Sequence, residues 1–363
     1  MNYNLGLVIS KQFDEIKKTL TGRKYPENVI WFLTERCNLK CEHCFVSNKG
    51  RKYREELNYN QINKILKTSK KSLKKISFTG GEPLLFKDFE NVFISASSLP
   101  NIKELHVSTN GMFNEKLFSI LKKCENKKLR YCIQTSLDGS EEIHNAIRGN
   151  KRSYKGVIEL LDMFYKYNKN SSLLLDMSAV MTVSRKNINN VQETMELVKQ
   201  FNVPLTLNFV RSSSGSNLEK DEINDFIPIQ NDDNGLSVKE MKTAINDWSK
   251  LAVKYYNSMV YHLNKVRMSN IVQYHEEGTW KFPCAAGVNN AILYSDGAIS
   301  ICETKKPFAN LQDFDFDYNK LWKKFYDGKM YTCYCSFDCA IEYSVNKSAK
   351  GYWVFAKSLM GLQ

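Results

Sequence analysis

Short β-type runs alternate with longer helical patterns from Val29 to Val210, which confines this stretch to successive βα units around a parallel sheet. Residues 29–33, 75–79, 104–109, 129–136, 173–183 and 205–210 read as strands, giving six units. Amphipathic stretches at 58–69, 114–123, 156–167 and 188–201 read as helices between them. The unusual residues fall where strands end. Cys37 follows the first, Gly80-Gly81-Glu82-Pro83 follows the second, Thr109-Asn110-Gly111 closes the third, and Ser136-Leu137-Asp138-Gly139 closes the fourth. In barrels of parallel strands, active sites are built on that carboxyl-terminal rim.

Residues two apart on a strand share a face. One face carries Ser77 with Thr79, His106 with Ser108, Cys132 with Gln134 and Ser136, Asp176 with Ser178, and Thr206 with Asn208. The other is apolar, with Ile76 and Phe78, Leu105 and Val107, Leu175 and Met177, and Leu205 and Leu207. The apolar face must meet the outer helices, so the polar face points inward and predicts an open barrel with a polar cavity. Any single half-buried strand alternates, so this inference rests on several strands doing so together.

The chain has 363 residues, 42% hydrophobic and 25% charged, enough for a catalytic domain and a smaller appendage. Its ten cysteines lie largely in tight clusters, which read as metal ligands in a reducing compartment rather than a disulfide scaffold. The expected address is the cytoplasm. The first ten residues lack a basic start followed by a long apolar run, and no later stretch approaches the ~18 apolar residues of a membrane span. A formal net charge of +13 suits an acidic partner, although lysine-rich solvated faces are common. Nucleic acid is not indicated, because basic and aromatic residues do not interleave as single-strand binding requires.

Cys37, Cys41 and Cys44 have C-x3-C-x2-C spacing, which can fold three thiolates around one metal cluster. A [4Fe-4S] cube normally takes four thiolates, so three leave one iron to be ligated by another group, such as a small molecule. The plainer readings are a zinc knuckle, which usually needs four ligands on paired arms, or three unrelated core thiols.

Together with Gly80-Gly81-Glu82-Pro83, these cysteines resemble the radical S-adenosylmethionine (SAM) superfamily over about residues 28–211. The resemblance implies an α/β fold, a partial (β/α)6 TIM-like barrel. It implies that Cys37, Cys41 and Cys44 hold a [4Fe-4S] cluster whose open iron chelates SAM. An electron from that cluster would cleave SAM to a 5′-deoxyadenosyl radical that abstracts a substrate hydrogen, with a reductase such as flavodoxin or ferredoxin as donor. Gly80 and Gly81 would permit close backbone approach, and Glu82 would accept from the methionyl amino group. Ser108 or Asn110 would bond ribose hydroxyls, with Thr109 the alternative in a shifted register. Ser136 and Arg148 would hold the methionyl carboxylate, and Phe45 would lie near adenine. For each residue singly, a turn or surface role is the alternative.

Residues 1–27 read as an N-terminal extension, 28–211 as the barrel, and 212–282 as a linker or lid followed by a helical segment from about Val238 to His262. Residues 283–345 contain Cys284, an Asp296-Gly297 hairpin signal, Cys302, and Cys333, Cys335 and Cys339. They resemble the opening of SPASM and the shorter twitch auxiliary-cluster domains, and residues 346–363 form a tail. The resemblance implies a second [4Fe-4S] cluster on Cys284, Cys302, Cys335 and Cys339, with Cys333 as the alternate. A structural zinc on the same thiolates is chemically reasonable. Cys124 and Cys132 belong to neither group and read as core residues, with Cys132 and Asp176 weak catalytic candidates.

The leading expectation is therefore a radical SAM oxidoreductase or maturase that modifies a ribosomally made peptide. The alternative is a dehydrogenase or epimerase of a sugar or other small molecule, with Asp176, Ser178, Thr206 and Asn208 lining its cavity. A non-catalytic iron-sulfur electron carrier or sensor is the reading from another class.

Overall fold

The computed structural model describes residues 25–46, 54–124, 126, 128–211, 235–327, 334–336, 341, 344–345 and 349–360. Six strands, β1 (Asn28–Thr34), β2 (Lys75–Gly80), β3 (Glu104–Thr109), β4 (Arg130–Ser136), β5 (Leu174–Val183) and β6 (Leu205–Phe209), pair in sequence order and in parallel. Helices α1 (Tyr59–Ser69), α2 (Phe89–Ser97), α3 (Asn114–Lys122), α4 (Glu141–Arg148), α5 (Ser153–Asn170) and α6 (Val191–Lys199) lie in the crossovers. The apolar register packs against them: Ile76, Phe78, Leu105, Val107, Tyr131 and Ile133 are all buried in one core. Burial of each large side chain contributes about 1.5–3 kcal/mol. The opposite register, Ser77, His106, Ser108, Cys132 and Ser178, is only half-buried, as expected of an interior that is not filled.

The hairpin through Asp296-Gly297 forms from β7 (Asn290–Leu293) and β8 (Ala298–Ser300), followed by β9 (Ala309–Asn310). Sequence reasoning did not anticipate where it docks. β7 pairs in parallel with β1, so the sheet runs β6-β5-β4-β3-β2-β1-β7-β8-β9 and does not close. Asn28 stands opposite Asn290, which puts the residues before β7 and after β8 at the amino-terminal end of β1. Cys284 and Cys302 therefore flank one end of the barrel and Cys37 the other. Six steps of about 3.3 Å give β1 itself a length of roughly 20 Å.

The single helix expected over 238–262 is two, α7 (Val238–Tyr255) and α8 (Ser258–Glu277). Asn257 caps α8 by accepting from the Val260 N–H at 2.9 Å, while extended Tyr256 ends α7. The break has a purpose in the packing. Leu205 N–H donates to the Tyr256 hydroxyl at 2.7 Å, and Trp248 Nε1 donates to Leu205 O at 2.8 Å, which covers the start of edge strand β6. Helices α9 (Tyr318–Phe325) and α10 (Ala349–Leu359) complete the described elements. Among the described residues, no helix is long and apolar enough to cross a membrane. Cys333, Cys339 and the expected linker at 212–234 lie outside them.

At the amino-terminal ends of β2 to β5, charges form a ladder across the strands. Glu104 pairs with Lys75 at 3.0 Å, with Arg130 at 3.5 Å, and with His106, while Arg130 also pairs with Asp176. Burial alone would raise the Glu104 carboxyl, but His106 and Lys75 outweigh it and hold the group well below the usual carboxylate range. A depressed carboxylate stabilises the fold fully above its unfolded pKa of about 4.3 and loses that contribution as pH falls through the folded value. Glu104→Gln should cost about 2 kcal/mol at neutral pH. The gap between wild type and variant in urea unfolding should then shrink below about pH 4; a gap independent of pH would refute this account.

Candidate active site

Backbone contact fixes the cysteine loop before any side chain acts. Gly81 N–H donates to Thr34 O and Glu82 N–H to Arg36 O, both at 2.8 Å, stacking the Gly80-Gly81-Glu82 turn on the residues just before Cys37. Gly80 has φ +132°, and a Cβ there would collide with the Thr34 carbonyl oxygen. At Gly81 a Cβ would collide with the Arg36 carbonyl oxygen. The close approach expected of these glycines is thus to the chain's own backbone. On its other side the loop is tied to α4, where Glu42 N–H donates to Ile147 O at 2.9 Å.

Glu82 is 0% exposed, and its carboxylate accepts from Asn110 N–H (2.8 Å), Leu84 N–H (3.2 Å) and the Thr109 hydroxyl (3.1 Å). Burial pushes its carboxyl up to about 7 against the lowering from those donors. Its side chain therefore locks the end of β3 to the β2 turn. Thr109 is committed to this lock, while Ser108 keeps the inward register and donates to Gln134 at 3.3 Å. The Asn110 amide donates to Asn38 Oδ1 at 2.8 Å and lies 3.8 Å from Cys37 Sγ, beside the cysteine loop.

Arg148 Nε donates to Asp138 Oδ2 at 2.6 Å and its Nη1 to Cys41 Sγ at 3.6 Å, so the guanidinium spans Asp138 and a cysteine. Ser136 is half-buried at the end of β4. Phe45 packs edge-on to Phe32 at 6.2 Å, and the Arg211 guanidinium covers its ring at 4.2 Å. Arg211 Nη1 also lies 2.7 Å from Glu303 Oε2. One side chain thus touches the neighbour of Cys44 and the neighbour of Cys302. Sequence reasoning passed over Arg211 and Glu303 because nothing in their local spacing marks a contact between distant segments.

The donor set of the cysteine loop is three thiols, with the Asn110 amide 3.8 Å from Cys37 Sγ and Arg148 Nη1 3.6 Å from Cys41 Sγ, so two of the sulfurs already have donors suited to a thiolate-bound group. Among the described residues, Glu104, His106 and Cys132 also bring their ligand atoms within 4.8 Å of one another. Burial pushes the Cys37 thiol up to about 11, so metal uptake must displace its proton. Cys284, Cys302 and Cys335 are buried, with Trp280 Nε1 holding Cys335 O at 2.7 Å. Nearby on β7, Asn290 is 0% exposed and neither amide atom has a hydrogen-bond partner among the described residues. Such an orphan points to a group that completes this end of the barrel.

A cavity of about 900 Å³ opens at the amino-terminal ends of the strands, lined by Asn28, His106, Arg130, Cys132, Asp176 and Ser178 among others. Asp176 is engaged by Arg130, and burial pushes the Cys132 thiol well above its usual range, keeping it protonated. Lys75 and Arg130 already neutralise Glu104, which opposes a cation on Glu104, His106 and Cys132. Thr206 donates to Ala179 O at 3.4 Å, a contact between strands. Asn208 accepts from Arg267 Nη1 at 3.1 Å, so this α8 arginine, which sequence reasoning missed, occupies its amide oxygen.

A family model described as the radical SAM superfamily matches residues 31–201. GTP 3′,8-cyclase of Clostridium botulinum strain Langeland is 28% identical over 276 residues, covering 69% of this chain and 79% of that protein. The Bacillus subtilis sporulation killing factor maturation protein SkfB is 27% identical over 205 residues, covering 54% of this chain and 47% of that protein. Among solved structures, Streptococcus suis SuiB bound to S-adenosylmethionine has a TM-score of 0.61 at 16% identity, over 89% of this chain and 70% of that one. Native anSMEcpe with bound AdoMet has a TM-score of 0.56 at 17% identity, over 92% and 95%. These likenesses show the α/β fold with its open parallel sheet.

Replacing Cys37, Cys41 and Cys44 together with alanine should remove about half the iron of anaerobically reconstituted protein, since one of two clusters is lost. Gly81→Ala should lower that same iron by displacing the loop. Cys284→Ala with Cys302→Ala should remove the other half. Undiminished iron in any of these, or zinc in metal analysis of wild type, would contradict the assignments.

Proposed function

Residues 31–201 are a radical SAM domain, and on that premise we propose that the chain modifies a ribosomally made peptide by abstracting a hydrogen atom from it. The domain binds a [4Fe-4S] cluster and SAM, which when bound supply one-electron cleavage of the sulfonium and hence the hydrogen-abstracting power. The chain's own residues do the holding. Cys37, Cys41 and Cys44 would carry the cluster, Glu82 and the Gly80-Gly81 turn would fix their loop, and Ser108 and Ser136 would face the cosubstrate. Arg148 retains Nη2 for the methionyl carboxylate. The required electron would come from a reductase such as flavodoxin or ferredoxin.

What supports the peptide reading is the half-buried inward register of Ser77, His106, Ser108, Cys132 and Ser178, which leads from the amino-terminal opening toward the Cys37 rim and leaves room for a substrate side chain inside the barrel. At that opening Tyr165, on the cavity wall, is 37% exposed, which suits an extended chain lying across it with one side chain inside. The net charge of +13 favours an acidic leader segment. SkfB, named as a maturation protein, supports the same class. Residues 283–345 would serve as a twitch-like domain whose second cluster accepts an electron or ligates substrate, giving the oxidoreductase outcome.

A second reading, modification of a small molecule, is favoured by the cavity's volume of about 900 Å³, which matches ordinary ligand pockets. The relatives named GTP 3′,8-cyclase point the same way. A sugar dehydrogenase or epimerase belongs to this class, with Cys132 and Asp176 facing its substrate.

The deciding experiment is anaerobic incubation of reduced, cluster-loaded protein with SAM. Formation of 5′-deoxyadenosine is expected, and its absence would leave the electron-carrier reading instead. Acidic precursor peptides should raise that yield several-fold and change mass themselves, with deuterium moving from labelled peptide into 5′-deoxyadenosine. Stimulation by nucleotides or sugars alone would overturn the peptide assignment in favour of the second reading.

A further inference from the structure

We propose that Arg148 is a positioning residue that holds an N–H donor and a fixed positive charge on Cys41, and thereby sets the reduction potential of the cluster carried by Cys37, Cys41 and Cys44. This rests on the reading of those three cysteines as cluster ligands. Arg148 is the last residue of α4 and only 8% exposed, with Nη1 3.6 Å from Cys41 Sγ. Its orientation is over-determined. Nε donates to Asp138 Oδ2 at 2.6 Å, and Asp138, 0% exposed, is itself pinned.

Asp138 Oδ1 accepts from Thr182 N–H at 3.0 Å, its own N–H donates to His144 Nδ1 at 3.1 Å, and its carbonyl accepts from Asn187 Nδ2 at 3.1 Å. His144 Nε2 is held in turn by the Ser153 hydroxyl at 2.9 Å. The helix end cannot drift from the loop either, because Glu42 N–H bonds Ile147 O and a Cβ on Gly149 would stand 2.9 Å from Lys40 O. Nothing about binding SAM requires a contact from this guanidinium to a cysteine sulfur.

The physical consequence concerns charge. Reduction adds an electron to the cluster, and a donor hydrogen bond to a ligand sulfur stabilises the more negative state. Arg148 touches both groups, the sulfur through Nη1 at 3.6 Å and the carboxylate through Nε at 2.6 Å. Removing the arginine therefore leaves both a missing donor and an uncompensated carboxylate, and both make reduction harder. Removing the carboxylate acts in the opposite sense.

The test is an EPR-monitored redox titration of anaerobically loaded protein, following the signal that changes on SAM addition. Arg148→Gln should make reduction at least tenfold less favourable, which for one electron is about 59 mV more negative. Asp138→Asn should move the potential the other way while iron content stays at the wild-type level. A residue that merely supported the fold would alter cluster loading without opposite shifts from the two variants. If Arg148→Gln fails to take up iron, Asp138→Asn carries the test, and an unchanged potential in it overturns the proposal. Wild-type protein with no SAM-responsive signal would instead overturn the reading of the cysteines themselves.

Discussion

The structure depends on two backbone strands of contact that meet at the cysteine loop. The Gly80-Gly81-Glu82 turn bonds Thr34 and Arg36 from one side, and the end of α4 bonds Glu42 from the other. Gly80 and Gly81 at the first contact and Gly149 beside the second leave no room for a Cβ, so these hydrogen bonds together with close backbone approach place the three thiols. Glu82 then binds the end of β3 with a carboxylate that receives three donors and no solvent. A loop held at both ends costs little further ordering when it closes on a cluster, because the backbone entropy of those residues is already lost on folding.

The interior follows from what the strands cannot bury. With Phe78, Val107 and Ile133 facing the helices, their neighbours are left inside the curve of the sheet, and an unclosed nine-stranded sheet cannot fill that space. The docking of β7 on β1 turns this geometry to use. It brings Cys284 and Cys302 to the end of β1 opposite Cys37, so anything inside the barrel lies between two sulfur-rich ends. Arg211 reaches from Phe45 to Glu303 and so touches a neighbour of each set.

Much of this was legible from residue order. The six strands, their inward polar register and the convergence of Cys37, Gly80, Asn110 and Ser136 on one rim all follow from period-two alternation and turn residues, which are local. The protein partners of Glu82 and Arg148 were not legible in that order. A motif names the neighbourhood of a side chain, but which partner it takes depends on buried groups far away in sequence, such as Asn110 for Glu82 and Asp138 for Arg148. The parallel union of β7 with β1 is likewise a long-range pairing with no local signature.

The charges of the barrel floor clarify what can recognise a substrate. Lys75, Glu104, Arg130 and Asp176 neutralise one another at short range, so a charged ligand group entering there would have to break an existing pair to make a new one. Specific attraction inside therefore falls to neutral groups that line the cavity, such as Ser178 and Cys132. The excess positive charge lies elsewhere, on exposed lysines such as Lys70, Lys71 and Lys151, where it acts over about a Debye length and is screened by salt. Ionic strength should therefore govern how readily an acidic partner is captured, while the chemistry inside, built on neutral contacts and fixed pairs, stays insensitive to it.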